Sequence, residues 1–199
     1  MSFIEDKETF ENIIFTFKDL YKEKKSLSNI SLQEIADKSD IHIGKIYSLF
    51  NGKTDVAIAL IENIINEIFI TFDEESEKDT PLGDKLKIAL SLQLEFLGPH
   101  ADLINELTLS LVNPFSEFSN FVNKLKNKYI NFLTELLENN FKGKNLIRTL
   151  TIPLIVRSFL VFNVTVIKYW EADKSEGKKN TLSFIENGVK NFMVVSALL

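Results

Sequence analysis

The chain has 199 residues, no cysteine and two histidines, and 23 basic residues against 28 acidic ones. The missing cysteines exclude disulfides and thiolate metal sites, and His42 and His100 alone leave little for a zinc site or a catalytic triad. A net charge of −5 argues against a protein that coats nucleic acid non-specifically, though it leaves room for a local DNA-reading face.

Hydrophobic residues make up 45% of the chain, enough for a buried core. Phenylalanine is abundant, at 17 against four tyrosines and one tryptophan, so the interior either fills with rings or uses them to wall an apolar cavity. The N-terminus, MSFIEDKETF, is acidic where a secretion signal needs a basic flank. The apolar run 152–167 is broken by Pro153, Arg157 and Asn163, and reads as too short and interrupted for a membrane span. A soluble cytoplasmic protein with no membrane partner is expected.

Glycine and proline are sparse, and apolar residues recur at three- and four-residue spacing, so an all-α fold of about nine helices is expected. The first helix spans about 5–21, with Phe10, Ile13, Ile14, Phe17, Leu20 and Tyr21 on one face. A polar connection, 22–29, precedes Ser31, which stands three residues before Glu34 in the pattern of a capping box opening a short second helix. A tight turn near 39–41 leads to a short third helix at about 42–50. Asn51-Gly52-Lys53-Thr54 then restarts the chain into a long fourth helix, to about Phe72. The charged stretch 73–81 is the expected boundary between a small module and a larger one. Further helices are expected at 82–97, 101–112 and 115–140, at 146–170 with Pro153 starting or kinking its main part, and at 181–199.

Two short helices joined by a tight turn, within 31–53, form a helix-turn-helix pattern whose second helix can enter a major groove. Ile35, Ala36, Ile41, Ile46 and Phe50 supply its anchored inner face, and Lys45 and Ser48 are polar positions on the outer one. The order Ile35, Ala36, Ile41, Gly44, Ile46, Tyr47, Phe50, Lys53 resembles the DNA-binding signature of the TetR family of transcriptional regulators, over roughly a quarter of the chain. Beyond it the likeness is only in length and helical layout.

The resemblance implies that Tyr47 and Lys53 grip phosphates and that His42, Ile43, Lys45 and Ser48 face the groove. It also implies a homodimer formed through helices near 146–170 and 181–199, and release or switching by a small effector. Three departures stand out. The turn, Ser39-Asp40-Ile41, lacks the usual glycine, so Asp40 must take the left-handed backbone, which aspartate tolerates better than most. The recognition helix opens with His42 instead of serine. No arginine, the commonest base reader, precedes Arg148. Residues 22–53 hold six lysines against four acids, a modest positive stripe that predicts weak non-specific affinity with a shallow salt dependence.

In the larger module, Phe96, His100, Phe115, Phe118, Arg157, Phe162 and Asn163 are the candidate ligand-binding residues. Arg157 lies in an otherwise apolar stretch and needs either an acidic partner or an anionic ligand. Rings at these spacings equally suit a plain core, and His100 after Gly98-Pro99 equally suits a capping or surface role.

The expected organisation is therefore a DNA-binding domain at 1–53, a connector at 54–72, and a ligand-binding and dimerisation domain at 73–199. The expected function is a DNA-binding repressor that responds to a small apolar ligand. No enzymatic activity, cofactor or metal is expected. The alternative is a lipid- or hydrophobic-ligand-binding protein of the same fold that no longer binds DNA.

Overall fold

A computed structural model describes residues 3–108, 116–140 and 146–198, with side chains described for 6–108, 116–140 and 151–194. Among the described residues every regular element is helical: α1 (Phe3–Lys24), α2 (Leu32–Ser39), α3 (Ile43–Leu49), α4 (Lys53–Glu75), α5 (Leu82–Leu97), α6 (Ala101–Thr108), α7 (Glu117–Asn140), α8 (Leu146–Ala172) and α9 (Lys179–Leu198). Short 3-10 turns at Leu27–Asn29, Gly98–His100 and Glu176–Lys178 shape three of the connections. Phe115 and part of the expected 101–112 helix lie outside the described residues.

Contacts divide the chain into two compact units. One is Met1–Asn66 with Leu97–Asn123, and the other is Glu67–Phe96 with Lys124–Leu199. This division differs from the boundary expected at 73–81. The reason is visible at α6. The Leu27 backbone N–H donates to Glu106 Oε2 at 2.6 Å, and Leu103 and Leu107 are buried. Tyr21 lies beside the same helix. Burial pushes its hydroxyl up to about 12, and the carboxylates of Glu106 and Asp102 add to the shift. Residues 97–123 therefore group with the N-terminal helices.

The first unit is built on the apolar face of α1. Ile13, Phe17, Ile35 and Ile46 are fully buried together with Val56 and Ala57 of α4. Phe10 stacks on Phe50 with centroids 5.1 Å apart. Burial of this kind stabilises by roughly 1.5–3 kcal/mol per large side chain.

The second unit has an aromatic core. Phe159 of α8 is buried, with an edge contact to Phe192 of α9 at 5.0 Å. Phe162 meets Phe159 at 5.9 Å and Phe184 at 5.7 Å. On α9, Gly188 is what lets the two helices approach here: a Cβ built on it would stand 2.2 Å from the Phe162 ring. Phe132 of α7 takes edge contacts from Phe69 and Phe72 at 5.3 and 4.9 Å.

The α8–α9 connection is closed by polar groups. Asp173 Oδ2 accepts from the Thr181 N–H at 2.9 Å and from its hydroxyl at 2.7 Å, and Asp173 Oδ1 accepts from the Ser175 N–H at 2.9 Å. Burial alone would raise the Asp173 carboxyl, but these bonds together outweigh it and hold the group well below the usual carboxylate range. Lys178 Nζ donates to the carbonyls of Trp170 and Asp173 at 2.9 and 2.6 Å, closing the C-terminal end of α8.

One expectation is corrected. Helix α8 runs unbroken for 27 residues through Pro153, and Thr151–Ala172 is long and apolar enough to cross a membrane by length and composition alone. None of the three expected interruptions breaks it. Pro153 and Arg157 are exposed, so neither disturbs a packed face, and Asn163 is hydrogen-bonded in the core.

Candidate nucleic-acid interface

The helix-turn-helix is set by local chemistry. Ser31 Oγ accepts from the Glu34 N–H at 3.2 Å, and the Glu34 carboxylate accepts from the Ser31 N–H at 3.0 Å, so the expected capping box opens α2. The Lys24 ammonium beside Glu34, followed by the bonds from Ser31, holds the Glu34 carboxyl below its usual range. At the other end of α2, Asp40 takes the left-handed conformation, φ 55° and ψ 35°, as the glycine-free turn requires. The buried Ser39 hydroxyl donates to the Ile35 carbonyl at 2.6 Å, and Asn12 of α1 donates to the Ser39 carbonyl at 3.3 Å.

Helix α3 follows directly. His42 is its N-cap, with Nδ1 accepting from the Gly44 N–H at 3.1 Å. A Cβ on residue 44 would stand 3.1 Å from that Nδ1, so glycine leaves the imidazole its capping position. Ile46 is the fully buried anchor of α3. At 100° per residue, Gly44 and Ser48 then lie opposite it, with Lys45 and Tyr47 on the two flanks. The structure agrees: Gly44, Tyr47 and Ser48 are exposed, Tyr47 at 61%. The Ser48 hydroxyl donates back to the Lys45 carbonyl at 2.7 Å, leaving its oxygen able to accept. Ile43 is half-buried and His42 is exposed.

The two lysines are less free than the sequence suggests. Lys45 Nζ is ion-paired to Asp6 of α1. Lys53 Nζ donates to the carbonyls of Ser28 and Ile30 at 3.2 and 2.9 Å, tying the start of α4 to the α1–α2 connection. An ammonium has three protons, so one remains for a phosphate. Asp55, in the first turn of α4, accepts from the Asn51 N–H at 2.9 Å.

The predicted ligand residues are divided between the two units. His100 and Phe118 belong to the first unit, whereas Phe96, Arg157, Phe162 and Asn163 belong to the second. Phe118 is buried, with Phe121 at 6.0 Å. His100 is partly buried. That burial pushes its imidazole down, and Lys18 and Lys22 of α1 push the same way. Arg157 is exposed, so its charge needs neither an acidic partner nor an anionic ligand to offset burial. Phe96 and Phe162 are partly buried and pack against the second unit's core.

Asn163 has the most distinctive surroundings. Its Nδ2 donates to Gln93 Oε1 at 2.7 Å and to the Tyr129 hydroxyl at 3.0 Å, and Gln93 Nε2 donates back to its Oδ1 at 3.3 Å. Burial drives the Tyr129 hydroxyl strongly upward, so it stays neutral. Gln93 and Tyr129 were not singled out from the sequence. An open cleft of about 340 Å³, lined by Glu75, Asp84, Lys87, Ile88, Ser91, Leu92 and Glu95, contains none of the predicted ligand residues.

No family model matches the sequence. An HTH-type transcriptional regulator of Staphylococcus aureus (strain MRSA252) is 25% identical over 121 residues, which is 59% of this chain and 63% of that protein. The chain thus aligns with less than two thirds of that relative's length.

Several solved structures superpose over most of the chain. A TetR-family regulator of Streptomyces coelicolor gives a TM-score of 0.69 at 19% identity, covering 100% of this chain and 84% of that one. A TetR transcriptional regulator of Nitrosomonas europaea gives 0.66 at 14% identity, covering 92% and 97%. The fatty acid degradation regulator FadR of Bacillus halodurans gives 0.63 at 19% identity, covering 92% and 93%. The fold is that of TetR-type transcriptional regulators.

Proposed function

We propose that this chain is a DNA-binding transcriptional regulator, a repressor that a small apolar ligand releases from its operator. The observation that carries the reading is the helix-turn-helix itself. Its second helix is capped, anchored by Ile46, and presents Gly44, Tyr47 and Ser48 outward. That is the geometry of a helix made to enter a major groove. The similarity to an HTH-type transcriptional regulator supports the same reading. In it, Tyr47, Lys45 and the remaining proton of Lys53 meet phosphates at the edge of the groove, and His42, Ile43 and Ser48 face into it. No catalytic residue, cofactor or metal is invoked.

Such a reader works as a symmetric pair, and α8 offers the seam. Leu154, Val161 and Val164 are exposed at heptad-like spacing, with Arg157, Ser158, Thr165 and Lys168 exposed among them. Leu182 and Val194 are exposed apolar positions on α9. Pairing across these faces sets two recognition helices at a fixed spacing, and a ligand that favours another spacing shifts the population by its differential affinity. Helix α4, whose residues belong to both units, carries the coupling.

The engaged lysines and the net negative charge favour a second reading, a hydrophobic-ligand-binding protein that has lost DNA binding. Titration of a random-sequence duplex at low salt separates the two. The regulator binds, and Tyr47→Ala weakens it by roughly fivefold, the worth of about 1 kcal/mol. A folded wild-type protein that binds no duplex leaves the second reading. Native mass spectrometry checks the seam, because a strictly monomeric protein is incompatible with it.

A further inference from the structure

We infer that Asp6 is a built-in competitor for DNA phosphate, holding Lys45 of the recognition helix and thereby setting how weakly the chain binds DNA; this rests on the regulator reading above. Asp6 and Lys45 are 39 residues apart, on α1 and α3, and their charged groups are paired. Both side chains remain partly exposed, so a phosphate can reach the ammonium.

The pair matters because much of the positive stripe is already engaged, although Lys22 and Lys25 at the end of α1 remain exposed. Lys24 is paired to Glu34 and donates to the Asn29 carbonyl at 2.8 Å. Lys38 is paired to Glu23 at 2.6 Å. Lys53 spends two protons on carbonyls. Gly44, Tyr47 and Ser48, which face outward, are uncharged. Lys45 is thus the cation of α3, and what neutralises it sets that helix's share of the electrostatic part of binding.

A phosphate approaching Lys45 must either displace the Asp6 carboxylate or sit beside it. Displacement gives up one ion pair for another. Sitting beside it adds a like-charge repulsion. Either route lowers affinity, and either reduces the counterion release that Lys45 contributes. The same pairing fixes the lysine's direction in the free protein, so Asp6 also positions the group it neutralises.

The test compares wild type, Asp6→Asn, Lys45→Ala and the double variant on one random-sequence duplex at 50 and 200 mM salt. Asn keeps the shape and removes the charge. Asp6→Asn is expected to bind about three- to tenfold tighter and to lose affinity more steeply with salt, by about one released ion. The double variant is expected to bind no better than Lys45→Ala alone. Equal or weaker binding by Asp6→Asn overturns the inference and leaves the regulator reading standing. A gain that persists without Lys45 also overturns it, since the effect is then general charge removal. Absence of binding by every folded variant overturns both. Asp6→Glu, which retains the charge, is expected to bind like wild type. If Asp6→Glu matches the gain of Asp6→Asn, the change is one of packing and the inference fails.

Discussion

In the helix-turn-helix, helix ends are fixed one at a time. Ser31 and Glu34 close the start of α2, Asp40 ends it, and His42 opens α3. In the second unit, helices are fixed against one another. Phe159, Phe162, Phe184 and Phe192 interlock across α8 and α9, and Asn163 is held by residues from α5 and α7. The first arrangement spends local polar bonds and leaves one face of α3 open to a partner. The second spends mainly apolar burial and keeps its few buried polar groups, such as Asn163 and Asp173, hydrogen-bonded. A region that must present a surface is held by its caps, whereas a region built on rings is held by its packing.

The largest expected effect tests the packed side of this contrast. Phe159→Ala should lower unfolding free energy by about 3–5 kcal/mol, read from the denaturant midpoint. A loss under about 1 kcal/mol would mean that the rings are not interlocked.

The turn between α8 and α9 is the place where the second unit also uses caps, and pH exposes it. The Asp173 carboxyl is held low, so its stabilisation is present above the unfolded carboxylate value near 4 and is lost as pH falls toward the folded value. Wild type should therefore exceed Asp173→Asn in thermal stability by a constant margin from about pH 5 to 7. The margin should shrink below about pH 4. A margin independent of pH down to 2 would remove the carboxylate from the account.

The smallest effect tests the capped side. Ser31→Ala should cost about 1 kcal/mol, with DNA binding weakened in proportion to the α2 order lost. A change within error in both melting and binding would show that the start of α2 is held by its buried face alone.

The sequence made the helix-turn-helix legible because each of its signals is short-range. The Ser31/Glu34 spacing, the demand on Asp40 and the apolar period through Ile35 and Ile46 all lie within a few residues of what they determine. The pairings that qualify its function lie far apart in the chain. Asp6 meets Lys45 across 39 residues, Leu27 meets Glu106 across 79, and Gln93 meets Asn163 across 70. No periodicity announces such contacts.

Arg157 misled for a related reason. Its apolar neighbours suggested a charge in need of a partner, but α8 has one exposed face, and Arg157 is on it beside Leu154, Ser158 and Val161. Asn163, a polar point in the same run, is buried and partnered. Which of two polar residues on one apolar helix faces inward depends on neighbours that the local sequence does not name.

The left-handed backbone at Asp40 also limits how this protein can drift. Glycine and asparagine can replace aspartate there without resisting the turn, and the chain itself holds lysine in the same backbone at Lys25 and Lys178. A β-branched residue would strain the junction that aims α3. What position 40 selects for is therefore backbone tolerance, a filter on side-chain shape that acts whatever the outer face of α3 carries.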